Sequence, residues 1–364
     1  MLTRIFPSPT IARYMAKMFF IRTLAFLVGL TVVLMSLDLL GESGRILAVP
    51  GNGEAELWKY VAIRMPQIIS LFLPFSVLLA ALLTFLTLNQ NSEITIFRAA
   101  GISPHQILAP MILAGLVISA LTFTFNERIL VRAKAEYDRW KAVDYQPLAP
   151  MQSTRGEVWV QAGSDLWHVR AVDDSGAETQ LHDVTIYARS NDQLLSVIHA
   201  REASPMQAGW LLQAVQWFDV QSGQLTNSPS LQFQSVARPG QFTTEVVNPE
   251  HLPFWKLVPA IDRLRAAGKP TEQLVANLNH KIADPLSAVL MPLLGSVAAF
   301  GLARAGGLFI RAVTGLALGF AFFVADNFAM AMADFGTYPP WAAAWAPFLL
   351  FFLVGESVLF RTEE

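Results

Sequence analysis

Six long stretches of this chain are almost free of charge, and each is long enough to cross a lipid bilayer. A hydrocarbon core about 30 Å thick needs about 20 mostly apolar residues at 1.5 Å rise. No water is available there to satisfy the backbone, so such segments must form helices. The spans are expected at Phe19–Leu40, Met65–Ser92, Gln106–Asn126, Pro285–Ala303, Ala312–Ala333 and Phe335–Gly355. Arg22 can snorkel at the inner end of the first, and Pro66 and Pro74 are kink points in the second. The residues before the first span, Met1 to Lys17, are too polar for a signal-sequence core, so that span is expected to be retained.

Composition agrees: 53% of residues are hydrophobic and only 15% charged, against about a quarter charged in a soluble domain. With the N-terminus inside, Arg4, Arg13, Lys17, Arg22, Arg98, Arg304, Arg311 and Arg361 fall on the inner side. The outer loops hold only Arg45, Lys59 and Arg64. Because Lys and Arg resist translocation, both termini are predicted to be cytoplasmic in a bacterial inner membrane, with the long central segment periplasmic.

That segment reads differently. Between Gln152 and Thr244 short alternating runs appear, among them Glu157–Val160, Leu166–Val169, Val184–Tyr187, Leu194–His199 and Trp210–Val220. Turn-rich Asp173–Gly176, Asn191–Asp192 and Gln221–Gly223 separate them, as in antiparallel strands of a sandwich or jelly roll. Val158, Val160, Leu166, Val169, Val184, Ile186, Leu195 and Val197 are expected to face inward. The predicted fold is a polytopic α-helical membrane protein with six transmembrane helices and an inserted all-β domain. Its parts are a membrane half at 1–145, the β domain at 146–250, and a second membrane half at 251–364 that opens with an interfacial helix at Phe254–Ala267, ending at Gly268.

Several classes are excluded or unsupported. A net charge of −2 with scattered cations leaves no footprint for nucleic acid. With 0 cysteines there is no thiolate metal site or cysteine nucleophile, and the six histidines show no metal-ligand spacing. No phosphate-binding loop or G-x-S-x-G elbow occurs, so neither catalytic residues nor a cofactor are expected in this chain.

The loop after the second span, Asn91 to Pro104, is the most informative short segment. Ser92 is placed to cap a short helix at about 92–101, Glu93 complements its positive end, and Gly101 and Pro104 supply a stop. Such a helix is either an ordinary interfacial turn or a plug for a groove on a partner. The run Ser92-Glu93-Ile94-Thr95-Ile96-Phe97-Arg98-Ala99-Ala100-Gly101-Ile102-Ser103 resembles the coupling segment of the lipopolysaccharide-export permeases, the LptF/LptG family, and within it the LptG type. Asp284-Pro285-Leu286, Phe323 to Asn327, and Pro339-Pro340 before the last span are further local matches, and the three-span, β-domain, three-span order matches over essentially the whole chain.

The resemblance implies a β-jelly roll and an assembly. An LptF-type permease would pair with this chain over an LptB-type ATPase dimer, which would hold ATP and magnesium. An LptC-type periplasmic jelly-roll protein would extend the β domain, and the cargo would be lipopolysaccharide drawn from the membrane. Glu93 would dock on the ATPase, with Ile94, Phe97 and Arg98 packing beside it.

Charges near the membrane are the other candidates. Arg128, Arg132, Lys134, Arg139 and Lys141 form either a basic wall for lipid phosphates or a solvated face paired with Glu127, Glu136 and Asp138. Asp38 and Asp326, like Lys281 and Asp284 beside the fourth span, suit either a lipid cavity or structural ion pairs. The first span departs from the family pattern: Met35, Gly41 and Glu42 stand where lysines are expected, leaving Arg45 as the nearest cation. The reading is a permease subunit of an ATP-driven lipopolysaccharide exporter. The alternatives are the LptF-type paralogue, a transporter of another lipid or lipoprotein, and a membrane-anchored scaffold.

Overall fold

The computed structural model describes residues 8–147, 154–155, 158–173, 179–190, 193–206, 209–242, 248–266, 269–297, 299 and 308–361. Arg4, Arg304, Gly268, the turns at 174–176 and 191–192, and most of the predicted fourth span beyond Val297 lie outside those residues. The chain forms two compact units, residues 1–146 with 247–364, and residues 147–246.

The first unit is helical. Helix α1 (Pro9–Leu47) starts at Ser8, whose side chain accepts the Thr10 N–H. Helix α2 (Glu54–Gln90) carries Pro66 and Pro74 internally, and the short α3 (Glu93–Ala99) follows. Helix α4 (Pro104–Phe125) opens with a capping box between Ser103 and Gln106. It runs through a π-turn at Asn126–Leu130 into α5 (Val131–Ala142). The last span is shifted along the chain from its predicted place, because residues before Pro340 form a turn at Gly336 (φ +69) and α10 occupies Pro340–Arg361.

Among the described residues, five long helices are apolar enough to span a membrane: α1, α2, the α4–α5 helix, α9 (Leu308–Asp334) and α10. Helix α8 (Glu272–Ser296) is not among them, because its first half carries Glu272, Gln273, Asn277, Asn279, His280, Lys281 and Asp284. Its second half is the most enclosed helix of the unit, with Leu290 through Ser296 all buried. Small residues bring neighbouring backbones close to it, as in membrane helix packing. A Cβ at Gly115 of α4 would lie 2.7 Å from the Ala288 carbonyl of α8, and one at Gly355 of α10 would lie 2.7 Å from Leu293 Cγ. Arg22 does not snorkel; its guanidinium donates to Leu83 O and Thr87 Oγ1 of α2, each at 2.9 Å.

The second unit is one antiparallel sheet. Its strands are β1 (Thr154–Arg155), β2 (Val158–Ala162), β3 (Asp165–Asp173), β4 (Gln180–Ser190), β5 (Gln193–Met206), β6 (Gly209–Asp219) and β7 (Leu225–Phe233). They pair in chain order, β1 and β2 sharing the outer side of β3. Trp167 on β3 nevertheless lies 5.7 Å from Trp210 on β6 and 5.8 Å from Phe233 on β7, ring centre to ring centre. In a flat sheet three strand spacings amount to roughly 14 Å. The sheet therefore curls over its own inner face, and Phe242 of the short α6 (Pro239–Phe242) fills the fold.

Inward alternation slips by one residue on four neighbouring strands, from Val169 to Val172, Leu181 to Val184, Ala200 to Ala203, and Leu212 to Val215. The slips lie level with one another in the register, and Asp183 and Ala214 take positive φ there, so the sheet is creased along one line. Trp167 and Ile198, not Leu166, Leu195 and Val197, point inward, since a strand cannot bury neighbours of opposite parity. Strand β7 escaped prediction because Thr226, Asn227, Ser228 and Pro229 read as loop, a composition that suits an edge strand.

Candidate functional site

The short helix α3 is fixed to the end of the bundle. Ile94 is buried in the core shared by Met15 and Phe19 of α1, Phe85 and Leu88 of α2, and Ile107 of α4, with Phe97 and Ile102 packed against it. Tyr14 Oη donates to Glu93 Oε1 at 3.4 Å and Asn91 Nδ2 donates to it at 3.3 Å. The helix stops in a Schellman turn, with Gly101 N–H on Arg98 O and Ile102 N–H on Phe97 O, both 3.0 Å, and Gly101 at φ +82. Ser92 does not act as the expected cap; it sits in the left-handed region at φ 58 and its hydroxyl makes no cap bond. Outward face Thr95, Ile96 and Ala99, with Ile96 61% exposed, while Arg98 is half-buried. Of the four residues expected to dock, Ile94 therefore roots the helix and does not present itself outward.

A second feature is a polar cavity of about 420 Å³ between α2, the π-turn and α5, α8 and α9. The π-turn places Glu127 at its centre, 3% exposed. Helical π-turns recur at functional sites because they offset a side chain from the regular spiral. Lys281 Nζ on α8 lies 2.9 Å from Glu127 Oε1, and the other oxygen accepts the N–H of Phe254, the first residue of α7 (Phe254–Ala266). Across the cavity His280 Nε2 is 3.0 Å from Asp326 Oδ2. Ser70 donates to Asn126 Oδ1 at 3.0 Å.

The expected basic wall divides in two. Lys134 turns to the cavity and pairs with Glu250 at 2.7 Å, and Lys141 lies 3.3 Å from Tyr137 Oη. Arg128, Arg132 and Arg139 share the exposed side of the helix and do not line the cavity. Asp138 on the same helix holds His251 at 2.7 Å. At the outer end of α1, Asp38 is committed internally: Tyr60 Oη donates to it at 2.6 Å, and Arg64 reaches both oxygens at 3.1 and 3.3 Å. That geometry is an internal ion pair. Arg45 is 74% exposed and 3.5 Å from Glu42.

Reasoning from sequence passed over Arg64, Glu127, His280 and Ser287 as site residues. Glu127 and His280 were legible only as polar residues beside apolar stretches, and nothing in the sequence marks the π-turn that turns Glu127 inward.

Compared with known proteins, residues 13–362 match the family described as lipopolysaccharide export system permease LptF/LptG. The chain is 26% identical to the lipopolysaccharide export system permease protein LptG of Escherichia coli (strain K12), over 98% of this chain and 99% of that protein. It is also 26% identical to the protein of the same name from Haemophilus influenzae, over the same shares.

Proposed function

Because the chain belongs to the lipopolysaccharide export system permease family LptF/LptG, we propose that it is an LptG-type subunit of an ATP-driven exporter of lipopolysaccharide. It acts in the bacterial inner membrane with both termini cytoplasmic and the β domain periplasmic, and α8 is its sixth span. The second half of α8 is apolar and enclosed, and Asn277, His280, Lys281 and Asp284 of its first half line a cavity, which is where ionisable groups of membrane helices are tolerated. ATP and magnesium belong to a separate LptB-type ATPase dimer, and an LptF-type permease and an LptC-type protein complete the assembly.

The observation that carries this reading is the seating of α3. Its inner face, Ile94 and Phe97, is packed into a core built from α1, α2 and α4. A close-packed interior transmits displacement instead of absorbing it. A partner pressing on Glu93, Thr95 and Ile96 would therefore move three membrane helices together. Above them, the exposed arginines Arg128, Arg132 and Arg139 suit the phosphates of the lipid, by charge-assisted hydrogen bonds. Arg45 and Asp326 border its path.

Charge reversal at Glu93 tests this. The full chain carrying Glu93→Lys, co-expressed with the ATPase and the second permease, should assemble with the permease and lose the ATPase on purification. Retention of both partners with undiminished ATP-dependent lipid release would overturn the proposal.

A further inference from the structure

The cavity has an unbalanced wall. Its lining holds four carboxylates, Glu127, Glu250, Asp284 and Asp326, against three permanent cations, Arg64, Lys134 and Lys281, and one histidine, His280. Each cation already has a carboxylate of this chain, Arg64 with Asp38, Lys134 with Glu250 and Lys281 with Glu127. Asp284 makes no direct hydrogen bond or ion pair among the described residues, and Asp326 uses one oxygen on His280. One turn beyond Asp284 on the same face, Ser287 lines the cavity, is 2% exposed, and has a hydroxyl with no partner. Other helical hydroxyls here, those of Ser36, Ser76, Thr122, Thr124 and Thr314, return to the carbonyl four residues back. Ser287, like Thr31 and Thr84, does not, and of the three only Ser287 lines the cavity; a buried hydroxyl left without a partner costs about 1–3 kcal/mol.

The two amides beside it point the same way. Asn277 and Asn327 both line the cavity, and each donates its NH₂ to its own helix, at 2.9 Å to Gln273 O and 2.8 Å to Phe323 O. The carbonyl oxygen of each accepts no hydrogen bond among the described residues and so remains available as an acceptor. Asp284, the second oxygen of Asp326, Ser287, Asn277 and Asn327 thus form a wall of acceptors around a deficit of positive charge. Among the described residues no group of three His, Asp or Glu side chains comes together closely enough to hold a metal ion. A bare ion would need such convergence, whereas an ammonium reaches separated acceptors with three N–H bonds.

We propose that this wall binds the primary ammonium group of a lipid, seated between Asp284 and Asp326 with Ser287 beneath it. The apolar part of the headgroup region then lies against Phe75, Phe322 and Phe323, which close the other side. The ammonium comes either from a phospholipid headgroup or from an amine substituent on the exported glycolipid. The choice of a lipid as its carrier rests on the exporter reading.

The test uses the purified full-length chain in detergent, with bound lipid read by native mass spectrometry. Four probes with matched acyl chains are compared: phosphatidylethanolamine, its N-acetyl derivative, phosphatidylcholine and phosphatidylglycerol. Phosphatidylethanolamine should be retained about tenfold better than the other three, the scale of one charge-assisted hydrogen bond. Asp284→Asn and Asp326→Asn should each abolish the preference, and Ser287→Ala should reduce it severalfold. Ser287→Ala removes no charge, so it reports on the site even if an aspartate variant fails to fold. Equal retention of the N-acetyl derivative or of phosphatidylcholine, or a preference untouched by these variants, would overturn the proposal.

The source is read by competition with lipopolysaccharide that carries or lacks a phosphoethanolamine substituent. Displacement of phosphatidylethanolamine only by the substituted form assigns the site to cargo, and displacement by neither assigns it to phospholipid. Failure of the parent chain to bind any lipopolysaccharide would count against the exporter reading while leaving the phospholipid comparison intact.

Discussion

Lys281→Met isolates the central ion pair of the membrane unit. Methionine keeps the length of the lysine stem and removes the charge. In the parent, Lys281 Nζ lies 2.9 Å from Glu127 Oε1, with side-chain exposures of 15% and 2%. Removing one partner of such a pair leaves an uncompensated charge where water cannot reach it, and costs about 3–5 kcal/mol. The Phe254 N–H still bonds the other oxygen but carries no net charge. Adding Glu127→Gln to Lys281→Met removes the stranded charge and keeps an acceptor for that N–H. The double variant should therefore recover to within about 1 kcal/mol of the parent, since replacing both partners of a buried pair is often nearly neutral. The double variant should then be about 2–4 kcal/mol more stable than Lys281→Met alone. Equilibrium unfolding in mixed micelles, followed by tryptophan fluorescence, measures each corner. A Lys281→Met variant within 1 kcal/mol of the parent would refute the argument. A double variant no better than the single would show that the lysine matters for packing and not for charge.

The remaining predictions concern packing, the α3 stop and orientation. Gly115→Val should cost about 3 kcal/mol or more by unfolding assay, because its Cβ meets the Ala288 backbone at 2.7 Å. Gly29→Val, with nothing within 4 Å, should change stability by less than about 0.5 kcal/mol. Gly101→Val forces a β-branched residue to φ +82 and should destabilise the α3 stop by about 1–3 kcal/mol. It should appear as faster amide exchange at Ala100 to Ile102, with the transmembrane helices unaffected. Single cysteines at Ser103 and Ser222 test orientation, since the chain has 0 native cysteines. An impermeant thiol reagent on intact spheroplasts should label Ser222→Cys and spare Ser103→Cys; the reverse pattern would invert the topology.

Five spanning helices, the inserted antiparallel sheet and the short helix before Gly101 follow from the order of residues along the chain. Each rests on a local cause: an uninterrupted apolar length, a period-two alternation, or a glycine free to take positive φ. The same local logic failed where neighbours distant in sequence decide the outcome. Hydropathy placed a fourth span at Pro285–Ala303, but it gave no sign that α8 starts as early as Glu272 or that its second half is enclosed by α2, α4, α9 and α10. Parity within β3 goes with Trp167 packing on Trp210 of β6, a contact between strands whose separation depends on how the sheet curls. Asp38 and Asp326 were equally legible as lipid contacts or as ion pairs. Arg64 and Tyr60, brought by α2, hold the first in an ion pair. Asp326 was drawn into a cavity wall by His280 of α8, next to an Asp284 that has no ion pair among the described residues. Sequence by itself determined which segments leave water, because transfer free energy is a local sum. Only the tertiary structure decided which buried charges find partners, because that depends on distances between helices far apart in the chain.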